Sequence, residues 1–291
     1  LRGLLGTEGA PTIGGVVATN ASGPRRIQAG ACRDSLIGVE FVNGRGEHLK
    51  SGGRVMKNVT GYDLVKLLCG SHGTLGILTE VALKVLPTPE MTETFALDGL
   101  SETEAVAAMA AALGTPFEVT GAAHLPAGPD GAPATLLRIE GFAPQIARRR
   151  AGLTGALAPY GALRTVAEDP WPAIRDVAAF HGRRGAVWRL SVKPSAAPEV
   201  VARIRATRTV EAVYDWGGGL VWLLMPEDAD AGAATIRAAA TPGHATLVRA
   251  SDATRAAVHA FHPEPAPVAA LSAALRQKFD PRGLLNPGRM A

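Results

Sequence analysis

Cysteine, aromatic residues and long apolar runs are all scarce in this sequence of 291 residues. The two cysteines, Cys32 and Cys69, have no Cys or His partner at zinc-ligand spacing, which argues against a zinc site. Two isolated thiols suit a reducing compartment, with one structural disulfide as the alternative, and they do not form a cysteine set for an iron–sulfur cluster. No apolar run reaches the roughly 20 residues that a membrane-spanning helix needs.

The charge is also modest, and several familiar motifs are missing. A net charge of +4 and a longest basic run of Arg148 to Arg150, on a predicted helix, favour a solvated surface over a nucleic-acid groove. Neither a strand–G-x-G-x-x-G–helix order nor a G-K-[ST] sequence occurs, so the standard nucleotide loops are excluded. The sequence shows neither a Ser-His-Asp order nor a nucleophile elbow, so nothing in it supports a hydrolase.

The residues that are present predict an α+β protein with a helix-covered antiparallel sheet. The segment 36–50 predicts two strands around a turn, and 61–71 predicts a short helix that ends at Gly70. A β-rich segment follows and stops at Pro87 and Pro89, and the polar stretch up to Thr94 predicts a boundary. Ser101 and Glu104 form a capping box. The later pattern predicts helices over 102–113, 143–157, 197–206, 228–240 and 265–280, and strands over 117–124, 134–140, 186–193, 211–215, 219–225 and 244–249.

Two glycine-rich segments need a separate explanation. The first, "TIGGVVATNASGP" at 12–24, favours a hairpin or a bulge when it is considered alone, with a ligand-lined turn as the alternative. The second, "CGSHGTLGILTE" at 69–80, spaces its glycines by three. Both could present backbone N–H groups to an anionic ligand.

The same segments carry a family resemblance. The segment 12–24, "RD" at 33–34, "VMKNVTGYDL" at 55–64, "GSHGTLGILTEVALKVLP" at 70–87 and "FDPRGLLNPGRM" at 279–290 resemble flavoproteins of the vanillyl-alcohol-oxidase type. "AVWRLSVKPSAAP", "VYDWGGGLVWL" and "GHATLVRA" are most similar to the FAD-binding subunits of bacterial glycolate oxidases. The likeness extends in order over nearly the whole sequence.

The resemblance implies three regions. Residues 1–90 would be part of a PCMH-type FAD-binding domain, namely its second subdomain, an antiparallel sheet with helices. Residues 91–250 would be an α+β cap domain, and 251–291 a helix and tail that return to the flavin. In this family FAD lies between two subdomains, and we expect the first, with another pyrophosphate loop, to precede this sequence.

FAD is the cofactor that the resemblance implies, and the backbone of the glycine segments would follow it. No catalytic residue is assigned. Carried over position by position, the cofactor-binding residues are Gly14, Gly15, Thr19, Asn20, Ser22, Gly23, Asp34, Gly73, Gly76, Ile77 and Asn286.

The implied activity is oxidation of glycolate, or of another 2-hydroxy acid such as D-lactate, by an FAD-binding subunit. The implied partners are a catalytic flavoprotein sister subunit and an iron–sulfur subunit, with no nucleic acid and with membrane contact only through the complex. The implied location is cytoplasmic, or peripheral on the inner face of the cytoplasmic membrane. Related dehydrogenases carry a metal motif "GHxGDGNxH", of which this sequence keeps only His244, so we expect no metal.

Two other functions stay open. The subunit could bind FAD, or only a partner, without catalysing, and relay electrons or assemble the complex for its sister subunit; the lost metal motif favours this alternative. It could also be an independent flavin oxidase of another substrate.

Several side chains have both a structural and a functional interpretation. Trp188, Trp216 and Trp222 lie on predicted strands, where sheet core is favoured over a flavin cover. Lys57, Tyr62 and Asp63 suit a helix start with an Asp cap, or polar contacts to the flavin or a partner. The third set, Arg183, Arg184 and Arg189, suits the surface better than a substrate carboxylate.

Overall fold

The computed structural model describes residues 2–6, 10–55, 61–128, 131–228 and 230–290. Lys57 and most of the 55–60 part of the "VMKNVTGYDL" segment lie outside these ranges.

The described residues form an α+β fold, as predicted. The helices are α1 (Arg2–Leu5), α2 (Ile13–Ala18), α3 (Arg26–Ala29), α4 (Cys32–Ser35), α5 (Leu64–Leu68), α6 (Glu102–Leu113), α7 (Ala143–Leu157), α8 (Trp171–Asp176), α9 (Ala197–Arg205), α10 (Ala233–Ala240), α11 (Asp252–Ala257) and α12 (Ala266–Phe279). The strands are β1 (Leu36–Val42), β2 (His48–Gly52), β3 (Ile77–Leu83), β4 (Met91–Asp98), β5 (Val119–Leu125), β6 (Ala134–Gly141), β7 (Arg164–Val166), β8 (Ala186–Ser191), β9 (Glu211–Asp215), β10 (Leu220–Met225) and β11 (His244–Arg249).

The chain divides into two compact units. The larger unit consists of residues 1–8, 23–29 and 88–262, and the smaller of residues 9–22, 30–87 and 263–291. We keep the functional division into 1–90, 91–250 and 251–291 as a proposal.

The smaller unit is built on a three-stranded antiparallel sheet in the order β2-β1-β3. Its buried core includes Val17, Phe41 and Leu68, so α2, β1 and α5 all bury apolar side chains in one cluster. The Asp63 carboxylate caps α5 by accepting a 3.2 Å hydrogen bond from the Lys66 N–H, which satisfies an orphan donor of the first turn. The local interpretation of Asp63 as a cap is therefore confirmed.

The larger unit is built on an eight-stranded antiparallel sheet in the order β11-β8-β10-β9-β5-β6-β4-β7. Side chains from α6, α7, α9 and α10 pack on one face and form the largest apolar core. The start of α6 has the predicted capping box, in which Ser101 N donates to the Glu104 carboxylate and Glu104 N donates to the Ser101 hydroxyl. The opposite face carries smaller apolar clusters and, between them, buried or half-buried charged side chains.

Four predictions about local structure are wrong. The glycine segment at 12–24 is neither a hairpin nor a bulge, since 13–18 is helical. The boundary predicted at Pro87 and Pro89 coincides with the passage from the smaller to the larger unit between 87 and 88, but its extension up to Thr94 is wrong, because β4 begins at Met91 and pairs with β6. Trp216 lies in a 3₁₀ turn, Trp216–Gly218, rather than on a strand. The helix predicted over 228–240 begins only at Ala233, because Gly232 has a φ of 68°.

Candidate functional site

The first glycine segment begins with α2. The Thr12 hydroxyl accepts a 3.1 Å hydrogen bond from the Gly15 N–H, so Thr12 caps the helix. Val17 is fully buried, whereas Ile13 is exposed to 54%. The cap and one buried valine therefore outweigh the low helix propensity of two adjacent glycines.

The two glycine segments lie side by side in the smaller unit. The Gly70 N–H donates to the Val17 carbonyl at 3.0 Å, and the His72 N–H donates to the Ala18 carbonyl at 2.8 Å. Asn20, Gly70 and His72 all have a positive φ, which turns the backbone sharply on both sides of these hydrogen bonds. Residues about 50 positions apart in the sequence thus form one surface.

The C-terminal tail joins the same surface. The Asn286 side-chain amide donates a 2.7 Å hydrogen bond to the His72 carbonyl. Asp280 fixes the start of the tail, because its carboxylate accepts from the Leu285 N–H at 2.6 Å. Backbone N–H groups from Leu285 and its neighbours hold the pKa of the Asp280 carboxyl below its ordinary value, so it stays ionised.

The polar side chains predicted at the site hold the loops in place. The Thr19 hydroxyl donates to the Gly15 carbonyl at 2.8 Å, and the Ser22 hydroxyl accepts from the Cys32 N–H at 3.1 Å. The side-chain oxygen Oδ1 of Asn20 accepts from the Arg33 N–H at 3.0 Å. The Asp34 carboxylate accepts from the Ala31 N–H at 2.8 Å and caps α4.

The predicted glycines fall into two groups. Gly73 has a φ of 73°, and a Cβ on it would lie 2.8 Å from the Asn286 amide nitrogen. A Cβ on Gly76 would lie 2.6 Å from the buried Phe41 ring. Both positions therefore require glycine for reasons internal to the smaller unit.

Gly14 has no such reason among the described residues. It is helical, and a Cβ on it would meet only the Leu78 Cβ, at 4.0 Å. A Cβ on Gly15 would lie 3.2 Å from the Thr12 hydroxyl that caps α2, so that hydroxyl would have to shift slightly. Alanine at position 14 would favour the helix by up to about 1 kcal/mol, so the described residues give no explanation for glycine there.

Ile77 and Gly23 lie outside this hydrogen-bonded group. Ile77 is the first residue of β3, and 60% of its surface is exposed to solvent. Gly23 belongs to the larger unit, where its carbonyl accepts a 3.1 Å hydrogen bond from the Trp216 indole N–H. Tyr62 is 93% exposed.

Trp188 and Trp222 are buried, as expected for sheet core, whereas Trp216 is half-buried. Arg183 pairs with Glu211 on the exposed surface, which confirms its surface interpretation. Arg189 is different, because it is half-buried.

His244 begins β11, where burial and then the charge of Arg189 lower the pKa of its imidazole. In the described ranges, no three His, Cys, Asp or Glu side chains are arranged to hold a metal ion. No helix in those ranges is both long and apolar enough to cross a bilayer.

Comparison with known proteins identifies the class. A model of the FAD binding domain matches residues 3–52. The fold is similar to that of p-cresol methylhydroxylase (TM-score 0.64, 15% identity, 88% of this chain and 64% of the other). It is also similar to alkyldihydroxyacetonephosphate synthase (TM-score 0.61, 16% identity, 95% of this chain and 58% of the other). The chain therefore has the fold of these flavoproteins, and part of its sequence matches the model of an FAD binding domain.

The sequence comparisons narrow this class. The chain is 35% identical over 280 residues to glycolate oxidase subunit GlcE of Escherichia coli (strain K12), over 96% of this chain and 71% of that protein. A segment of 83 residues is 46% identical to glycolate oxidase subunit GlcD of Bacillus subtilis (strain 168), over 28% of this chain and 18% of that protein. The chain belongs to the family of glycolate oxidase subunit GlcE, so it is an FAD-linked oxidoreductase subunit that works in a multi-subunit complex.

The surface described above fits FAD. Gly14 leaves open the space that a side chain would fill, and Ile13 offers an exposed apolar side chain next to it. Adjacent backbones without side chains suit the close approach of a ligand.

The sequence analysis did not predict the helix over 13–18, although a threonine such as Thr12 before an apolar run is a helix-start signal. It also missed Arg26, which lies beside Trp216. No local pattern marks that contact.

Proposed function

We propose that the chain is the FAD-binding subunit of a complex that oxidises glycolate, or another small 2-hydroxy acid such as D-lactate, to the 2-oxo acid. The observation that carries the proposal is Gly14, next to Gly15 in α2, because packing among the described residues leaves its glycine unexplained. Membership of the GlcE family supports the substrate class, since that relative is a glycolate oxidase subunit.

In this proposal the FAD-contacting residues are Gly14, Gly15, Thr19, Asn20, Ser22, Gly23, Asp34, Gly73, Gly76, Ile77 and Asn286. The backbone around Gly14 and Gly15 would approach the cofactor directly. Thr19, Asn20, Ser22 and Asp34 would act mainly by fixing the loop shape, because their oxygen atoms already bond to backbone groups. When bound, FAD would supply the two-electron acceptor that oxidation of a C–OH group requires.

The proposal also includes the finer partners. This chain has two cysteines and no four-cysteine set for an iron–sulfur cluster. We therefore assign the cluster to another subunit, alongside a catalytic flavoprotein sister subunit. We propose a cytoplasmic location, or one on the inner face of the cytoplasmic membrane through the complex.

The test is retention of flavin by the complex purified with its sister subunits. Gly14→Leu should remove the flavin absorbance that stays with this chain after gel filtration. Gly155→Leu is the matched control, because Gly155 also lies in a helix with open space around it but belongs to the larger unit. Equal flavin content in the two variants would reject the glycine surface as the FAD site.

A second candidate is an FAD-binding or assembly subunit without catalysis of its own. It is favoured by the segment 243–250, which retains His244 but lacks the rest of the metal motif seen in related dehydrogenases. The two functions separate in a complex whose sister subunit has a disabled FAD site. Anaerobic bleaching of the remaining flavin by glycolate supports catalysis here, and an unbleached flavin supports the second candidate.

A further inference from the structure

The sheet face opposite α6, α7 and α9 carries a half-buried arginine. Trp188 and Leu190 of β8 point into the main core, so Arg189 between them points to the other face. Its guanidinium lies 5.3 Å from the centre of the Trp216 ring.

A second arginine stacks on the same indole. The Arg26 guanidinium lies 4.4 Å from the ring centre of Trp216. Burial, and then the positive charge of Arg26, lower the pKa of the Arg189 guanidinium, because the two cations repel each other. Stacking on the electron-rich face of an indole offsets only part of that cost.

Neither arginine has an acidic partner in the described part of the chain. By contrast, two other arginines of the larger unit, Arg25 and Arg138, both contact the Glu140 carboxylate, at 2.9 and 3.3 Å. No ion pair joins Arg26 or Arg189 to a described Asp or Glu. Two guanidinium groups at 4.4 and 5.3 Å from one ring centre, without a described carboxylate partner, form an incomplete charge arrangement that a bound anion would complete.

The turn that holds the indole is costly to build. Trp216, Gly217 and Gly218 have φ angles of 55°, 65° and 101°, and a left-handed tryptophan is unfavourable. The Trp216 N–H donates to the Asp215 carboxyl oxygen Oδ1 at 2.7 Å, and the indole N–H donates to the Gly23 carbonyl at 3.1 Å. These two hydrogen bonds fix the ring against both guanidinium groups.

The glycines of this turn serve the larger unit itself. A Cβ on Gly217 would lie 2.6 Å from the Leu113 side chain, and one on Gly218 would lie 3.2 Å from Val106. Gly217 and Gly218 therefore allow the turn that carries Trp216 to pack closely against the larger unit.

We propose that Arg26 and Arg189, held by Trp216, bind the carboxylate of a small organic acid. The identity of that acid rests on the proposed function: it would be the 2-hydroxy acid substrate or the 2-oxo acid product. Arginine binds carboxylates through parallel N–H bonds, and it stacks on aromatic rings without losing those donors. Arg26 and Arg189 are then substrate-binding residues of this chain.

The test uses the complex with its sister subunits and isothermal titration calorimetry with glycolate. Arg26→Gln and Arg189→Gln should each weaken glycolate binding at least tenfold, as expected for a lost charge-assisted pair of hydrogen bonds. Arg183→Gln is the matched control, since Arg183 already pairs with Glu211 and should bind glycolate within twofold of the wild type. Flavin content is measured on every sample.

Stability separates a binding role from a structural one. Removing an unpaired cation beside another cation should leave the unfolding temperature of both variants unchanged or higher. Unchanged glycolate affinity in Arg26→Gln, which lies in a short surface helix, would overturn the proposal even if Arg189→Gln failed to fold.

The remaining outcomes are also decisive. Arginine-dependent binding of inorganic phosphate without binding of glycolate would reject a carboxylate site. If this chain retains flavin in the wild-type complex, but neither Arg26→Gln nor Arg189→Gln changes the glycolate affinity, this inference is wrong and the FAD proposal stands. Loss of flavin from the wild-type chain contradicts the FAD proposal instead.

Discussion

The Asn286 side-chain amide donates a 2.7 Å hydrogen bond to the carbonyl of His72, which lies 214 positions earlier in the chain. The same amide nitrogen would lie 2.8 Å from a Cβ on Gly73. The tail and the second glycine segment therefore constrain each other, and glycine at 73 leaves the space that Asn286 occupies.

Asn286→Ala should loosen the tail without unfolding the smaller unit. One neutral hydrogen bond contributes about 1 kcal/mol, so amide hydrogen exchange over 281–290 should accelerate by about fivefold. Mass spectrometry of peptides from this region measures the change. Arg282→Ala is the control, since its side chain is exposed in the same tail, and equal exchange in both variants would contradict the anchoring role of Asn286.

Gly14→Ala should separate stability from flavin binding. The free chain should gain about 0.5–1 kcal/mol of unfolding free energy, because alanine favours the helix and meets no close atom. FAD affinity should fall at least tenfold, because the added methyl group occupies the space proposed for the cofactor. Urea titration without FAD and fluorescence titration with FAD measure the two quantities.

Two further glycine variants calibrate that experiment. Gly76→Ala should lower the free energy of unfolding by about 1–3 kcal/mol, because the Cβ would meet the buried Phe41 ring at 2.6 Å. Gly155→Ala should gain stability like Gly14→Ala but keep the wild-type FAD affinity. Loss of stability in Gly14→Ala would show that its glycine has an internal role after all.

Asp215 should make the larger unit less stable as the pH rises. Burial raises the pKa of its carboxyl to about 7, against the hydrogen bond from the Trp216 N–H and the charge of Arg138. Between its ordinary value of 3.8 and about 7, the folded state retains a proton that the unfolded state releases. Its contribution to the unfolding free energy is therefore complete below 3.8 and is lost as the pH rises through about 7.

Asp215→Asn should remove that contribution. The slope of unfolding free energy against pH should become more positive by up to about 1.4 kcal/mol per pH unit between pH 4.5 and 6.5. Urea unfolding at several pH values measures this slope. A slope equal to that of the wild type would mean that Asp215 is ionised in the folded protein across this range.

His124 should act in the opposite direction. Burial, only partly opposed by the charge of Glu102, lowers the pKa of its imidazole from 6.5 to about 4, so the folded state keeps it neutral. Its contribution to stability is present above pH 6.5 and is lost as the pH falls towards 4, because only the unfolded state takes up the proton.

His124→Gln should therefore make the slope between pH 4.5 and 6.5 more negative than that of the wild type. The same urea series measures it, with Asp215→Asn as the partner of opposite sign. The imidazole Nδ1 lies 3.0 Å from the Thr135 hydroxyl, and a glutamine amide can form a hydrogen bond there. A change of slope in the same direction for both variants would contradict the assignment.

Much of the fold was predictable from local signals. The capping box of Ser101 and Glu104 is predictable because a cap depends on neighbouring residues. The strand over 36–42 is predictable from the alternation of residue types in "IGVEFV". The two glycine segments that carry the family resemblance also lie side by side in the structure, and their contact with FAD stays a prediction. The helix at 13–18 was missed because two glycines oppose a helix locally, while the burial of Val17 that stabilises it depends on distant residues.

The sequence alone therefore determined the α+β class, most element positions and the two glycine segments, since each depends on short-range patterns. Tertiary structure decided which glycines have an internal reason, because that depends on atoms such as the Phe41 ring and the Asn286 amide. It also brought Arg26 and Arg189 to the same indole across more than 160 positions of sequence. No spacing rule connects residues that meet only when a sheet and a distant loop pack together.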